Sequence, residues 1–384
     1  MINEAVILVG GKGLRLGKIT KKIPKPLIEI NRKPFLDYLI NFFIRFKIKK
    51  IFLITKYKYE IFHKKYHNKI INGTRIKCIN QKKFFGTSGS IKKVINKLDD
   101  KFFLSNGDTI FDINLYDFQK KLKNNLVGIL ACSDSQKMSE RYSLFKKKGK
   151  KIASSGIYLF RKNKINSHLI CPGSLENEVI KKIPSYKFKR IVYKKKFLDI
   201  GTPNDLKKAK NFLNNFDKKK CAFLDRDGVI NYDYGYVHKK NNFRWKKNIF
   251  KAIKFLNDNN YFVVVVTNQS GIGRGFYNCE DVENLHNWIN KKLFSKGCLI
   301  DHFYYAPYYA LSKKKKFRKN KKLRKPDIGM FERAQREINI DKKGSFFVGD
   351  SQNDREAARK FKIKYFNVDT KTDLYKLLKK KISC

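Results

Sequence analysis

Residues 221–231 read CAFLDRDGVIN. Four apolar or small residues run directly into Asp225, one spacer, Asp227 and Gly228. Two carboxylates at the mouth of a buried strand are unfavourable unless a cation, a proton or a ligand uses them. The stretch therefore predicts a strand that ends at a reactive edge. The chain beyond it supplies a sheet for that strand. NIFKAIKFLNDN at 248–259 has helical spacing, and YFVVVVTNQ at 261–269 is apolar enough for the centre of a parallel sheet. VENLHNWINKKLF at 282–294 reads as a helix, GSFFVGD at 344–350 as a strand and NDREAARKF at 353–361 as a helix.

The same alternation precedes it. EAVILVG at 4–10, KKIFLIT at 49–55 and FFLSNGD at 102–108 read as strands. FLDYLINFFIRF at 35–46 and DLKKAKNFLNNF at 205–216 read as helices, the second with Asp205 in its first turn. Strands alternating with helices predict α/β architecture with mostly parallel sheets. We read two domains, 1–216 and 221–384, with the lysine-rich DKKK at 217–220 as a linker between them or as the polar approach to the next strand. A chain of 384 residues with 42% hydrophobic content can bury two cores of ordinary size.

The formal charge is +55, from 88 Lys+Arg against 33 Asp+Glu. The lysines are spread along the whole chain with no repeated basic–aromatic module, so they read as solvated faces and sequence-directed nucleic-acid binding is not expected. Attraction of phosphorylated small molecules is compatible with the charge. Seven Cys at 78, 132, 171, 221, 279, 298 and 384 form no CxxC pair, which fits a reducing cytoplasm. No apolar run approaches the roughly 18 residues of a membrane span. The start, MINEAVILVGG, lacks the pattern of a secretory signal. A cytoplasmic enzyme is the expectation, with its oligomeric state left open.

VGGKGLRLGKIT at 9–20 places Gly10, Gly11 and Gly13 where a strand turns, so main-chain amides can approach phosphate oxygens. Arg15, Lys25 and Lys12 add positive charge beside them. The glycine spacing fits neither the P-loop nor GxGxxG. The longer string, with IPKPLIEINRKPFLDYLI at 23–40, NGD at 106–108, FGTSGSI at 85–91 and FLDIGTPNDLKKA at 197–209, resembles the sugar-phosphate nucleotidyltransferase family. That resemblance implies a Rossmann-like nucleotidyltransferase fold and the reaction of a nucleoside triphosphate with a sugar 1-phosphate, releasing pyrophosphate. It assigns Gly10, Gly11, Gly13, Gly86 and Asn106 to the nucleotide, and Arg15 and Lys25 to phosphates. Asp108 and Asp199 are assigned to Mg²⁺, while Asp108 alone also reads as a turn or cap residue. The chain departs from that family at RYSLFKKKGKKIASSGIYLF, 141–160, which looks shortened, lacks the EK stretch and has Ser154, Ser155 and Gly156 in the INAG region.

Asp225-Arg226-Asp227-Gly228 resembles the opening motif of haloacid-dehalogenase-type phosphatases, a Rossmannoid α/β family. VVVVTNQSGIGRG at 263–275, RKPDIGMF at 324–331 and VGDSQNDREAA at 348–358 follow in that family's order. The resemblance implies Asp225 as nucleophile, Asp227 as acid and base, and Thr267 and Lys325 as phosphoryl grips. Mg²⁺ would be held by Asp225, Asp350 and the Asp227 carbonyl, with Asp354 supporting the site. Asn268, Arg274 and Arg324 would hold substrate phosphate.

More narrowly, the segment resembles the D,D-heptose 1,7-bisphosphate phosphatase group, related to histidinol phosphatases. That group's zinc loop would fall on Ala306, Tyr308, Lys321 and Leu323, none of which offers a thiol or imidazole, so no zinc is expected. The basic segment LSKKKKFRKNKKL at 311–323 reads equally as a substrate contact or a solvated loop.

Together the two resemblances imply a bifunctional enzyme. It would convert a heptose bisphosphate to heptose 1-phosphate and load that product with a nucleotide, GTP being the expected donor. Two alternatives stand beside this. One is a histidinol-phosphate or other sugar-phosphate phosphatase joined to an inactive or differently specific transferase. The other is a non-catalytic basic interaction protein.

Overall fold

In the computed structural model the described residues are 2–134, 144–147, 150–318 and 321–382. Parts of the departing stretch 141–160 therefore lie outside the described residues, as do residues 319 and 320 of the basic segment. The chain divides after Phe216 into two compact units.

The first unit is built on a sheet of nine strands among the described residues. In chain order these are β1 (Glu4–Leu8), β2 (Lys50–Thr55), β3 (Ile70–Ile71), β4 (Thr74–Asn80), β5 (Lys101–Asn106), β6 (Gly128–Ser133), β7 (Leu144–Lys147), β8 (Lys150–Arg161) and β9 (Phe188–Tyr193). The spatial order is β9-β6-β8-β5-β1-β2-β4-β3, with β7 paired to β8. β1 pairs parallel with β2 on one side and with β5 on the other. The chain thus leaves β1 toward one edge and returns on its opposite flank. Such a switch point opens a crevice at the carboxyl ends of the strands. Leu8 lies opposite Asn106, so the loops after β1 and β5 share that crevice. β8 runs antiparallel between β5 and β6. Helix α1 (Phe35–Arg45) buries Phe35, Leu36, Leu39, Ile40, Phe42 and Phe43, the spacing of one helical face.

The stretch 217–220, expected as a linker or a polar approach, contains the end of helix α2 (Pro203–Asp217) and the start of strand β10 (Lys219–Leu224). Lys219 is buried, and its N–H bonds to the Asn339 carbonyl.

The second unit has a five-stranded parallel sheet among its described residues. β10 lies at its centre, between β11 (Phe262–Asn268) and β13 (Ile340–Gly349). β12 (His302–Ala306) and β14 (Lys364–Asn367) form the edges. Ala222 and Leu224 face one apolar core with Val263, Val265 and Val348. Cys221 and Phe223 face another with Val264, Val266 and Phe347. Helices α3 (Ile249–Asp258) and α4 (Cys279–Ser295) cover the first face, while α5 (Gly329–Glu337) and α6 (Gln352–Phe361) cover the second. Two covered faces explain why β10 is apolar at consecutive positions rather than alternating. β10 is a switch point like β1: Leu224 lies opposite Val265 and Val348, so Asp225, Thr267 and Asp350 emerge at one edge. Among the described residues, no helix is long and apolar enough to cross a membrane.

Candidate active sites

In the second unit the strand ends gather charge. The Asp225 N–H bonds to the Val348 carbonyl at 2.9 Å, which fixes the turn out of β10. Lys325 Nζ sits 2.8 Å from Asp225 Oδ2 and 2.7 Å from Asp354 Oδ1, with Lys325 and Asp354 both buried. Asp225, Asp350 and Asp354 offer oxygens within 4.8 Å of one another. Burial pushes the Asp225 carboxyl up to about 7 against the pull of Lys325. Burial and then Asp354 raise Asp350 as well. Burial pulls the Lys325 ammonium down, yet Asp225 and Asp354 hold it above its ordinary value.

Three carboxylates facing one ammonium leave an excess of negative charge. This acidic cluster, with Asp354 buried and Asp350 exposed, fits a divalent metal, which takes hard oxygen ligands. Asp354 also shapes the main chain, because its Oδ2 accepts from Ser351 N and Oγ and caps α6 in a capping box. Gly228 lets the cluster close. It has φ +77°, and a Cβ there would lie 1.7 Å from Asp350 Oδ2.

A cavity of about 320 Å³ opens over these groups, lined by Asp225, Asp227, Thr267, Arg324, Lys325 and Asp350 among others. The Asp227 carboxylate stands apart from the three-acid cluster and accepts bonds from Arg226, Asn231 and Gln269. Asn268, expected to grip phosphate, lines this cavity and also holds the main chain of Lys325. Its side-chain amide accepts from Lys325 N and donates to Lys325 O, both at 3.0 Å, so it clamps the main chain of the buried lysine. Arg324 reaches the cavity wall. Burial, and then the neighbouring charge of Arg274, lower its pKa. Two guanidiniums this close favour an anion between or beside them. Arg274 also lies 3.8 Å over the Tyr309 ring.

The positions matched to a zinc loop do not fit that metal. Ala306 is buried at the end of β12, Tyr308 packs on the core beside Met330 and Phe331, and the Lys321 side chain lies outside the described residues. The loop is held instead by Phe317, packed with Ile272, Tyr277 and Val282, and by the bond from Tyr309 N to Phe317 O. Lys313 to Lys316 are exposed.

In the first unit the crevice is a cavity of about 640 Å³. Gly10, Gly11, Gly13, Lys12 and Arg15 line one wall, and Gly86, Asn106, Asp108 and Lys25 line others. Lys25 Nζ lies 2.6 Å from Asp108 Oδ2 and 3.7 Å from Asp199 Oδ1. A short antiparallel ribbon, Phe197–Asp199 on Thr109–Phe111, brings the two acids together. Gly13, at φ +65°, packs against the Lys25 stem, since a Cβ there would meet Lys25 Cβ at 3.0 Å. Ser155 lies beside Asp108's neighbour: its carbonyl accepts from Thr109 Oγ1 at 3.1 Å.

Several site residues are assigned no role by the sequence motifs. Gln81, Lys56, Phe84 and Phe85 also line the first cavity. Arg226, Asn231, Gln269 and Tyr277 surround Asp227 or its partners. Gln269 could have been found, because Thr267 and Gln269 are two residues apart at a strand end and so share a side of the chain.

Residues 4–216 match the nucleotidyl transferase family, and residues 220–375 match the polynucleotide kinase 3 phosphatase family. The D-glycero-beta-D-manno-heptose-1,7-bisphosphate 7-phosphatase of Haemophilus ducreyi is 40% identical over 147 residues, covering 38% of this chain and 80% of that protein. The D-glycero-alpha-D-manno-heptose 1-phosphate guanylyltransferase of Campylobacter jejuni is 33% identical over 219 residues, covering 53% of this chain and 96% of that protein. The crystal structure of HddC from Yersinia pseudotuberculosis complexed with GMP-PN is 26% identical. It covers 56% of this chain and 100% of that chain, with a TM-score of 0.49.

Proposed function

The chain belongs to the nucleotidyl transferase family through residues 4–216 and to the heptose-1,7-bisphosphate 7-phosphatase family through its second half, and we propose that it carries out both reactions in sequence. It removes the 7-phosphate of D-glycero-D-manno-heptose 1,7-bisphosphate. It then transfers GMP from GTP to the resulting heptose 1-phosphate, releasing pyrophosphate. The observation that carries this reading is the convergence of Asp225, Asp350 and Asp354 around Lys325 in a chain whose other unit sets Lys25 between Asp108 and Asp199.

In the phosphatase unit an Asp225 oxygen bonds to phosphorus as the ester P–O bond breaks, and Asp227 gives its proton to the leaving oxygen. Asp227 then takes a proton from the water that attacks the aspartyl-phosphate, which frees inorganic phosphate and Asp225. Thr267 and Lys325 hold the transferring group. Mg²⁺ held by Asp225 and Asp350 would offset the charge of nucleophile and phosphate. In the transferase unit the sugar phosphate oxygen attacks the α-phosphorus of GTP. Arg15 and Lys25 stabilise the departing pyrophosphate, and Asp108 and Asp199 are the residues suited to Mg²⁺.

The anomer of this proposal follows from the coupling of the two halves. Hydrolysis at C7 leaves C1 untouched, so a phosphatase feeding a transferase must pass on the anomer the transferase accepts. The Campylobacter relative is named for the alpha 1-phosphate, whereas the Haemophilus phosphatase is named for the beta bisphosphate. We assign the alpha anomer to both halves of this chain. A coupled assay should release phosphate and then pyrophosphate from the alpha bisphosphate with Mg²⁺ and GTP, and much less pyrophosphate with CTP or UTP. Phosphate without pyrophosphate for every nucleotide would refute the transferase half.

Gly228→Ala should displace Asp350 and lower phosphate release by about 10²-fold, the scale of an ångström-sized misplacement. Steady-state assays at saturating Mg²⁺ check this. Unchanged activity would mean that the close approach of loop and acid is dispensable.

A further inference from the structure

Gln269 is almost wholly buried, and its side-chain amide has a partner at each end. Nε2 donates to Asp227 Oδ2 at 2.9 Å and to Thr267 Oγ1 at 3.0 Å. Oε1 accepts from the Tyr277 hydroxyl at 2.8 Å. Both amide hydrogens and the carbonyl are engaged, so the amide has one satisfied orientation. Tyr277 enforces it. Burial raises that phenol to about 12, so it keeps its proton and donates. The ring is itself gripped: a Cβ on Gly271 would lie 2.2 Å from Tyr277 Cε1, and His238 stacks on the ring at 4.5 Å. The main chain of Gln269 is tied to β12 by a 2.8 Å bond from its N–H to Ala306 O.

The other partners of the Asp227 carboxylate lie on its own loop. Arg226 Nε and Nη2 and Asn231 Nδ2 all donate to Oδ1, and Nη2 also reaches Oδ2. Gln269 alone among these partners comes from β11's end, where Thr267 stands. We propose that Gln269 is a positioning residue that sets the Asp227 carboxyl against the leaving oxygen, in register with the phosphoryl held at Thr267, with Tyr277 locking the amide. The inference rests on the phosphatase reading given above. In the step it governs, an Asp225 oxygen bonds to phosphorus as the ester P–O bond breaks, the leaving oxygen keeps that bond's electron pair and takes the Asp227 proton, and the O–H electron pair stays on Asp227. Because Thr267 Oγ1 accepts from Gln269, its own hydrogen is left to donate into the cavity.

A misplaced acid harms substrates in proportion to their need for a proton. The full chain is assayed on the alpha heptose bisphosphate, whose leaving group is an alkoxide, and on p-nitrophenyl phosphate, whose leaving group departs largely unprotonated. Gln269→Leu should lower kcat/KM on the heptose ester by about 10²-fold, within the range of general acid catalysis, and on the aryl ester at least about tenfold less. Tyr277→Phe should shift the ratio of the two in the same direction by about threefold, the scale of one hydrogen bond. Equal losses on the two esters would overturn the inference. If Gln269→Leu fails to fold, judged by thermal melting, Tyr277→Phe decides alone, and an unchanged ratio overturns it. A wild-type chain that hydrolyses neither ester would overturn the phosphatase reading itself, and this inference with it.

Discussion

Asp225→Asn is expected to lower phosphate release from the heptose bisphosphate by about 10⁴-fold or more, because an amide cannot form the aspartyl-phosphate. Pyrophosphate release from supplied heptose 1-phosphate and GTP should stay within about twofold, as for independent sites. Equal loss of both activities would contradict two separate active sites. The same variant should melt at a higher temperature than wild type in chelator at neutral pH. Burial raises the Asp225 carboxyl from 3.8 to about 7, so the folded chain holds a proton there that the unfolded chain releases. The folded state therefore loses stability as pH rises from about 4 toward 7, and asparagine removes that loss. The gap in melting temperature should widen across this window. A variant that melts lower throughout would mean that the Asp225–Lys325 pair supports the fold more than its burial opposes it.

Which parts of this are legible in the sequence follows from the range of the contacts. The strand-end acids can be read because each terminates an apolar run, and a parallel sheet delivers every strand's carboxyl end to one edge. Helices such as FLDYLINFFIRF carry their own periodicity and lie within a residue of the expected bounds. Arg226 reads as a spacer. It is wholly buried because its guanidinium folds back onto Asp227 and the Val237 carbonyl, and that second partner lies eleven positions on. Asn268 reads as a phosphate ligand beside Thr267, and its side chain also clamps the main chain of Lys325, 57 residues away. No local pattern announces such a clamp. The DKKK stretch looks like a linker by composition. Strand pairing with residues 340 and 341 decides its conformation instead. The antiparallel placement of β8 between β5 and β6 is likewise a tertiary pairing that alternation along the chain does not encode.

Lys25→Ala is expected to do the reverse of Asp225→Asn. It should lower pyrophosphate release by about 10²–10³-fold, the loss seen when one fixed donor to a developing charge is removed, and leave phosphate release intact. The geometry offers Lys25 two roles, and metal dependence separates them. Its ammonium lies 2.6 Å from Asp108 and 3.7 Å from Asp199, so it offsets the repulsion of two carboxylates. It also faces a cavity lined by Lys12 and Arg15, where two phosphorylated substrates must meet. If it only balanced the acids, excess Mg²⁺ would take its place and the variant would recover. If it contacts the phosphates, kcat stays low at saturating Mg²⁺, because the charge is missing where the α-phosphorus is attacked. We expect the second outcome. Lys25→Arg should restore little, since the Lys25 stem is packed against Gly13 and a bulkier planar group changes where the charge is delivered. Full recovery with added Mg²⁺ would reduce Lys25 to a counter-ion of Asp108 and Asp199 and leave Arg15 as the principal cation on the departing pyrophosphate.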